Sequence, residues 1–353
     1  MPWTKVYITK AEFEDTLGNK GLRGISYRES IREAQAQMLE ASDKVFIMGE
    51  GVDDALGIFG TTLGLKEKFG NDRILDIPIA ENGLTGIAIG SAIAGLIPIF
   101  IHMRMDFLPM CMDQIINHAA KWFYMTGGKV NVPIVIRSII GRGWGSAAQH
   151  SQALHALFTH VPGIKVVMPA TPYDAKGLLI SSIEDGNPVM FIEHRWLYDY
   201  VGFVPEEIYR VPIGRGIIRR EGKDVTIVTI SLMLYESIKA ADILKQEGIE
   251  AEIIDLRTLK PLDEELILTS VKKTGRIVIV DLGWKTGGVC MQVAALIAEK
   301  GLSFLKSSVE MVCLPEAPTP ASPVLEEAYY PGKEKIVITV KRSYRGPKAI
   351  KIF

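Results

Sequence analysis

Short, largely apolar runs, too short to be helices, recur along this chain between stretches of helical periodicity. Val45–Met48, Ile74–Ile77, Ile97–Ile101, Val132–Arg137, Ile164–Met168 and Val189–Glu193 are such runs. A strand that is apolar on both faces must be covered on both, and strands that alternate with helices pair in parallel. The pattern therefore predicts an α/β fold in which parallel sheets lie between helical layers. Ser26 followed by Glu29 forms a capping box, and Ile31, Ala34, Met38 and Ala41 then make an apolar helical stripe. Further helices are predicted near Thr61–Phe69, after Glu81, over about 113–125 up to Gly127-Gly128, near Ser151–His160 and over Tyr173–Ile183.

From about His194 to Lys223 the alternation lapses into an aromatic, proline-containing connector. It resumes with strand Val225–Ile230, a helix to Glu247, strands Ala251–Leu256 and Arg276–Asp281, and a helix after Gly288. This predicts a larger domain over 1–205, a linker over 206–222 and a smaller α/β domain over 223–353. The uncharged stretch Leu84–Ile101 approaches bilayer length, but Gly86, Gly90, Gly95 and Pro98 interrupt it. A small-residue helix leading into a buried strand is the expected reading, and no signal-peptide pattern is visible. Forty basic side chains oppose 41 acidic ones, a balance that gives no electrostatic case for nucleic acid or an anionic membrane as partner. Cys111, Cys290 and Cys313 form neither a disulfide framework nor a zinc ligand set, which suits the cytoplasm. The tail beyond Val340 is basic, with Lys341, Arg342, Arg345, Lys348 and Lys351.

Ligands of parallel sheets bind outside the carboxyl ends of the strands. That rule selects the loops Gly49–Asp54, Pro78–Gly83, His102–Phe107, Ser138–His150 and His194–Tyr200. Glu81 follows one predicted strand and opens a glycine-rich helix. It reads either as an acid complementing the helix dipole or as a desolvated carboxyl able to share a proton with a ligand nitrogen. His150 is delivered by a glycine-punctuated loop to a predicted helix start, with Gln149 and Ser151 alongside, a placement suited to proton transfer or anion binding. His155 and His160 read as packing residues. No dinucleotide turn, P-loop or nucleophile elbow is present in the sequence.

Several blocks in order resemble the β subunit of the thiamine-diphosphate-dependent 2-oxoacid dehydrogenases, the decarboxylating component of the pyruvate, branched-chain and acetoin complexes, and the rear half of transketolase. They are Arg73–Gly83, Gly86–Gly90, Asp113–Lys121, Ala148–Gln152, Pro162–Pro169 and Asp255–Asp263. The resemblance implies two αβα domains, pyrimidine-binding and transketolase C-terminal-like. It implies that Glu81 hydrogen-bonds a ring nitrogen of the cofactor's aminopyrimidine, with Met103 and Phe107 as further cofactor contacts and His150 in proton and acyl transfer. A structural potassium ion is implied at Ile134, Ser182, Ile183, Asp185 and Asn187. The family holds the diphosphate and its Mg²⁺ with a Gly-Asp-Gly motif on an α subunit, and no Gly-Asp-Gly occurs here. The implied assembly is an α2β2 heterotetramer, with a lipoyl acyltransferase as a further partner and a small 2-oxoacid as substrate.

The chain departs from the family pattern at Ile101 and over Arg104-Met105-Asp106-Phe107, where dehydrogenase β subunits usually carry an acidic residue and Thr-Phe-Asn-Phe. Arg104 can pair with a substrate phosphate or carboxylate. Two other readings stand beside the dehydrogenase subunit: a transketolase-like transferase moving a two-carbon or acyl unit, and a non-catalytic scaffold subunit.

Overall fold

The apolar runs become strands of two largely parallel sheets. In the computed structural model, which describes residues 1–344, the chain separates into two units. One comprises Met1–Arg142 and Gln149–Ile213, the other Gly143–Ala148 and the chain from Gly214 onward.

In the first unit, β1 (Gly24–Ser26) precedes the sheet strands β2 (Val45–Gly49), β3 (Ile74–Asp76), β4 (Ile97–His102), β5 (Val135–Ile140), β6 (Lys165–Val167) and β7 (Val189–His194). These six are parallel and lie in the order β6-β7-β5-β4-β2-β3. Every residue of β2, β5 and β7 is buried, as expected for strands covered on both faces. The chain then forms β8 (Val201–Phe203), which pairs antiparallel with β1.

The helix Tyr27–Ala41 starts at the Ser26–Glu29 capping box, with both reciprocal bonds formed. It buries Ile31, Ala34 and Met38, while Ala41 is exposed. The helix expected near Thr61–Phe69 shortens to Leu65–Phe69, because Gly64 adopts a left-handed conformation at its start. The expected 113–125 helix is a π-helical stretch, Gln114–Ala119, followed by Ala120–Met125. Among the described residues no helix is long and apolar enough to cross a membrane.

The second unit holds β9 (Ile217–Arg220), β10 (Val225–Thr229), β11 (Ala251–Asp255), β12 (Thr258–Lys260), β13 (Ile277–Trp284) and β14 (Glu310–Leu314). Its sheet order is β14-β13-β10-β11-β9, parallel except for β9. The expected linker over 206–222 thus contains a strand. Cys290 and Cys313 are hydrogen-bonded neighbours, and that bond together with burial raises the Cys290 thiol well above its ordinary value. Lys341 and Arg342 end the helix Lys333–Tyr344, while Arg345, Lys348 and Lys351 lie outside the described residues.

Candidate active site

The loops after β2, β3 and β4 meet at a glycine. Gly51 has φ +69, its N–H donates to Asp76 Oδ1 at 2.6 Å, and a Cβ there would stand 3.1 Å from the Met103 methyl. A side chain at this position would be strained by its backbone and would crowd Met103. β3 leads through Ile77-Pro78-Ile79-Ala80 to Glu81, the first residue of the helix Glu81–Ile93. Glu81 is 9% exposed. No side chain caps this helix, so a carboxylate in its first turn complements the unsatisfied N–H groups, while burial sets it apart from an ordinary surface acid.

Glu50, Asp76 and Glu81 share one neighbourhood. Burial, and then the charges of Glu81 and Asp76, push the Glu50 carboxyl above its ordinary value. The Cys111 thiol is raised by burial; a hydrogen bond with Thr85 opposes this, and the Glu81 and Glu50 charges add to it. Among the described residues, no group of three or more His, Cys, Asp or Glu is arranged to hold a metal ion.

After β4 the chain turns into the short helical segment Met105–Cys111, which carries Phe107. The His150 ring meets Phe107 edge-on, with centroids 5.4 Å apart and planes at 85°. Asp106 Oδ1 accepts from Gln152 N at 3.1 Å and Gln152 Nε2 at 3.0 Å. The Leu154 N–H donates to Met105 Sδ at 3.1 Å. These bonds tie the His150 loop to the Phe107 segment. They also draw residues 151–154 away from helical hydrogen bonding, so the helix begins at His155 and not at Ser151. His150 therefore lies on an exposed loop and not at a helix start. Burial raises the Asp106 carboxyl; the Gln152 donors and Arg104 oppose it. His155 is buried, as a packing residue should be, whereas His160 is exposed.

The structure thus brings Phe107 to His150, and Met103 to the glycine beside Glu50 and Asp76. At the amino end of β5, Ile134 O accepts the Val189 N–H at 3.0 Å, and Ser182 O accepts the Asp185 N–H at 3.4 Å. Asp185 accepts from Lys165 Nζ through both oxygens at 2.6 Å, and Asn187 Oδ1 is buried without a hydrogen-bond partner. Of the arginines at the strand ends, sequence reasoning singled out Arg104 alone. Arg142 and Arg195 stand on the neighbouring strand ends, inside loops that the strand-end rule selects.

Residues 23–200 match the transketolase pyrimidine-binding domain family, and residues 214–336 the transketolase C-terminal domain family. Over 336 residues the chain is 46% identical to the β subunit of acetoin:2,6-dichlorophenolindophenol oxidoreductase from Cupriavidus necator, covering 92% of this chain and 99% of that one. It is 42% identical over 318 residues to the pyruvate dehydrogenase E1 component β subunit of Rickettsia felis, covering 90% and 98% of the two chains. Among solved structures it is similar to a split-gene transketolase described as an inactive β4 tetramer, with a TM-score of 0.74, 25% identity, and coverage of 92% of this chain and 100% of that one. A buried acid after β3, two transketolase-type domains in order and relatives matched nearly end to end converge: the chain belongs to the transketolase-like family, among the β subunits of the acetoin and pyruvate dehydrogenases.

Proposed function

We propose that this chain supplies the pyrimidine side of a thiamine-diphosphate site for oxidative decarboxylation of a 2-oxoacid, with the acyl group passing to a lipoyl arm. The observation that carries the reading is the buried carboxyl of Glu81, whose charge reaches Glu50, next in sequence to the glycine that Met103 approaches. That constellation fits the cofactor's aminopyrimidine: a desolvated acid for a ring nitrogen, the Met103 thioether and Phe107 ring as apolar walls, and a glycine that leaves room. When bound, thiamine diphosphate supplies the carbon nucleophile and the electron acceptor for loss of carbon dioxide.

The chain's own residues do the rest. Glu81 would hold a proton at a carboxyl oxygen for the ring nitrogen of the bound cofactor. Phe107 and Met103 would line the bound ring and exclude water from it. His150 moves a proton at the substrate side and guides the acyl group, its position set by the Asp106–Gln152 clamp and the Phe107 edge contact.

On this reading Mg²⁺ and the diphosphate are held by an α subunit carrying Gly-Asp-Gly, in an α2β2 assembly in the cytoplasm. Ile79, Ile87 and Met110, near Glu81 in sequence or on the segments beside it, are 81%, 62% and 53% exposed, which supports a partner surface there. The orphaned Asn187 oxygen, with the Ile134 and Ser182 carbonyls, supports the potassium site through Ile134, Ser182, Ile183, Asp185 and Asn187, because an all-oxygen donor set suits a hard cation. The domain division at 1–205, 206–222 and 223–353 belongs to the same reading.

The test is reconstitution with an α-type chain. Dye reduction is then assayed with 2-oxoacids and with acetoin, the substrate in the name of the 46% identical relative. Keto-sugar donors with aldehyde acceptors form the comparison. Dye reduction without an aldehyde acceptor supports the dehydrogenase. Transfer to aldehydes alone assigns the transferase, and no turnover with any donor assigns the scaffold.

A further inference from the structure

In the second unit, β14 is the edge strand beside β13, and Val312 is level with Val280. Side chains alternate along a strand, so the next residues, Cys313 and Asp281, face the opposite side of the sheet from that level pair. β13 leads through Gly287-Gly288 into the helix Val289–Leu296, which packs on β13 and carries Cys290 as its second residue. Cys290 is hydrogen-bonded to Cys313 and feels the charge of Asp281. Both thiols are free. We infer that Cys290 and Cys313 form a site of reversible covalent modification, at which a low-molecular-weight disulfide closes the two thiols into one protein disulfide.

The two sulfurs differ in access, and that difference orders the chemistry. Cys290 is 1% exposed, whereas Cys313 is only half-buried on the edge strand, between the buried Val312 and Leu314. A reagent from solution therefore meets Cys313 first. In thiol–disulfide exchange the attacking species is the thiolate. Cys313 gives up its proton and attacks one sulfur of the small disulfide; that S–S bond breaks, one thiol departs with a proton, and the other half stays on Cys313. The neighbouring Cys290 sulfur then attacks Cys313 Sγ and gives up its own proton, and the second thiol departs. Two protein thiols are oxidised and one small disulfide is reduced to two thiols, so protons and electrons balance.

Cys290 stays a thiol while its partner is free, because the bond with Cys313, then burial, then the Asp281 charge hold it well above its ordinary value. Capping of Cys313 removes the first of these causes, which eases loss of the Cys290 proton at the moment the second attack needs it. Two neighbouring cysteines could otherwise belong to a metal site, but among the described residues no group of three or more His, Cys, Asp or Glu is arranged to hold a metal ion. Cys111 differs from the pair: it is fully buried in the first unit and hydrogen-bonded with Thr85. In a reducing compartment the pair stays open, and a rise in small disulfides closes it. The closed form would pin the start of the helix Val289–Leu296 to the edge strand β14.

The test exposes the folded full chain to glutathione disulfide, quenches it by alkylation, and reads intact mass and the peptide map. The parent chain should lose two of its three free thiols, become lighter by two hydrogen atoms and yield a Cys290–Cys313 linked peptide, and dithiothreitol should restore all three thiols. Cys290→Ser should stop at one glutathione on Cys313, and Cys313→Ser should keep both remaining thiols under the same exposure. The parent's own mass and map decide the matter if either variant fails to fold. A parent chain that retains three thiols, that holds glutathione on Cys313 without closing the bridge, or that links Cys111 in place of either residue overturns the inference.

Discussion

Two sets of arginines in the first unit differ in what surrounds them. Arg137, in the middle of β5, is fully buried and locked: Nε and Nη2 donate to Glu193 at 2.6 and 2.9 Å, Nη1 to Gln35 Oε1 at 2.6 Å and Nη2 to Thr61 Oγ1 at 3.1 Å. Tyr198 donates its hydroxyl to the same Glu193 carboxylate at 3.0 Å. Beyond the strand ends, Arg104 rests on a carbonyl, while Arg142 and Arg195 rest on the faces of Trp196 and Phe59. A guanidinium ringed by fixed acceptors in mid-strand holds the sheet together, whereas the other three stand at the strand ends, the side of a parallel sheet where ligands bind.

The sharpest way to break this contrast is at Arg137. Arg137→Met leaves the Glu193 charge buried without its counterion and should cost about 3–5 kcal/mol, read from urea unfolding. The double variant Arg137→Met, Glu193→Leu should recover much of the loss. If the single variant costs no more than the double, the pair does not hold the sheet.

A second test is acid. His102 and His194, buried to 5% and 2% exposure, stay neutral in the fold down to about 4 and about 3 respectively. In the unfolded chain they protonate near pH 6.5, as ordinary histidines do at about that value. Unfolding therefore takes up protons between those limits. Stability is fully present above about pH 6.5 and falls on acidification by about 1.4 kcal/mol per pH unit for each histidine. Urea midpoints at pH 7 and pH 5 check this, and His102→Phe should remove its share of the slope. A stability independent of pH across that window would contradict the burial of both rings.

The smallest effect is expected at the sheet mouth. Arg142→Gln removes the cation–π contact with Trp196, worth about 1 kcal/mol or less, and its cost should stay well below that of Arg137→Met. A loss matching that at Arg137 would make Arg142 a structural residue and erase the distinction.

Much of this was legible in the residues. Strands buried on both faces are mostly apolar, with charges such as Arg137 and Glu193 admitted only as a pair, so β2, β4, β5 and β7 are legible in the sequence, and the Ser26–Glu29 box sets its helix start to the residue. The short edge strands β8 and β9, half-buried and lying in the aromatic connector, carry no such signature. The helix Glu264–Thr274 falls outside the predicted elements although its Asp263 cap and paired glutamates are visible in the sequence. Glu81 is legible because it follows a recognisable strand, whereas Phe107 is singled out only by the family resemblance. The arginine cluster could not be assembled from sequence, since Arg104, Arg142 and Arg195 meet only through the β4-β5-β7 order, which strand patterning does not encode. His150 was recognised by its loop, but the Asp106 and Met105 acceptors that keep that loop out of the helix are long-range partners.

The central claim is that the Glu81 carboxyl provides a proton to the cofactor ring. Its most direct test is Glu81→Gln in the reconstituted enzyme, with the circular dichroism and assembly state of the parent. Decarboxylation should fall by about 100-fold or more, as for loss of a positioned acid. Turnover equal to that of the parent enzyme would contradict the account.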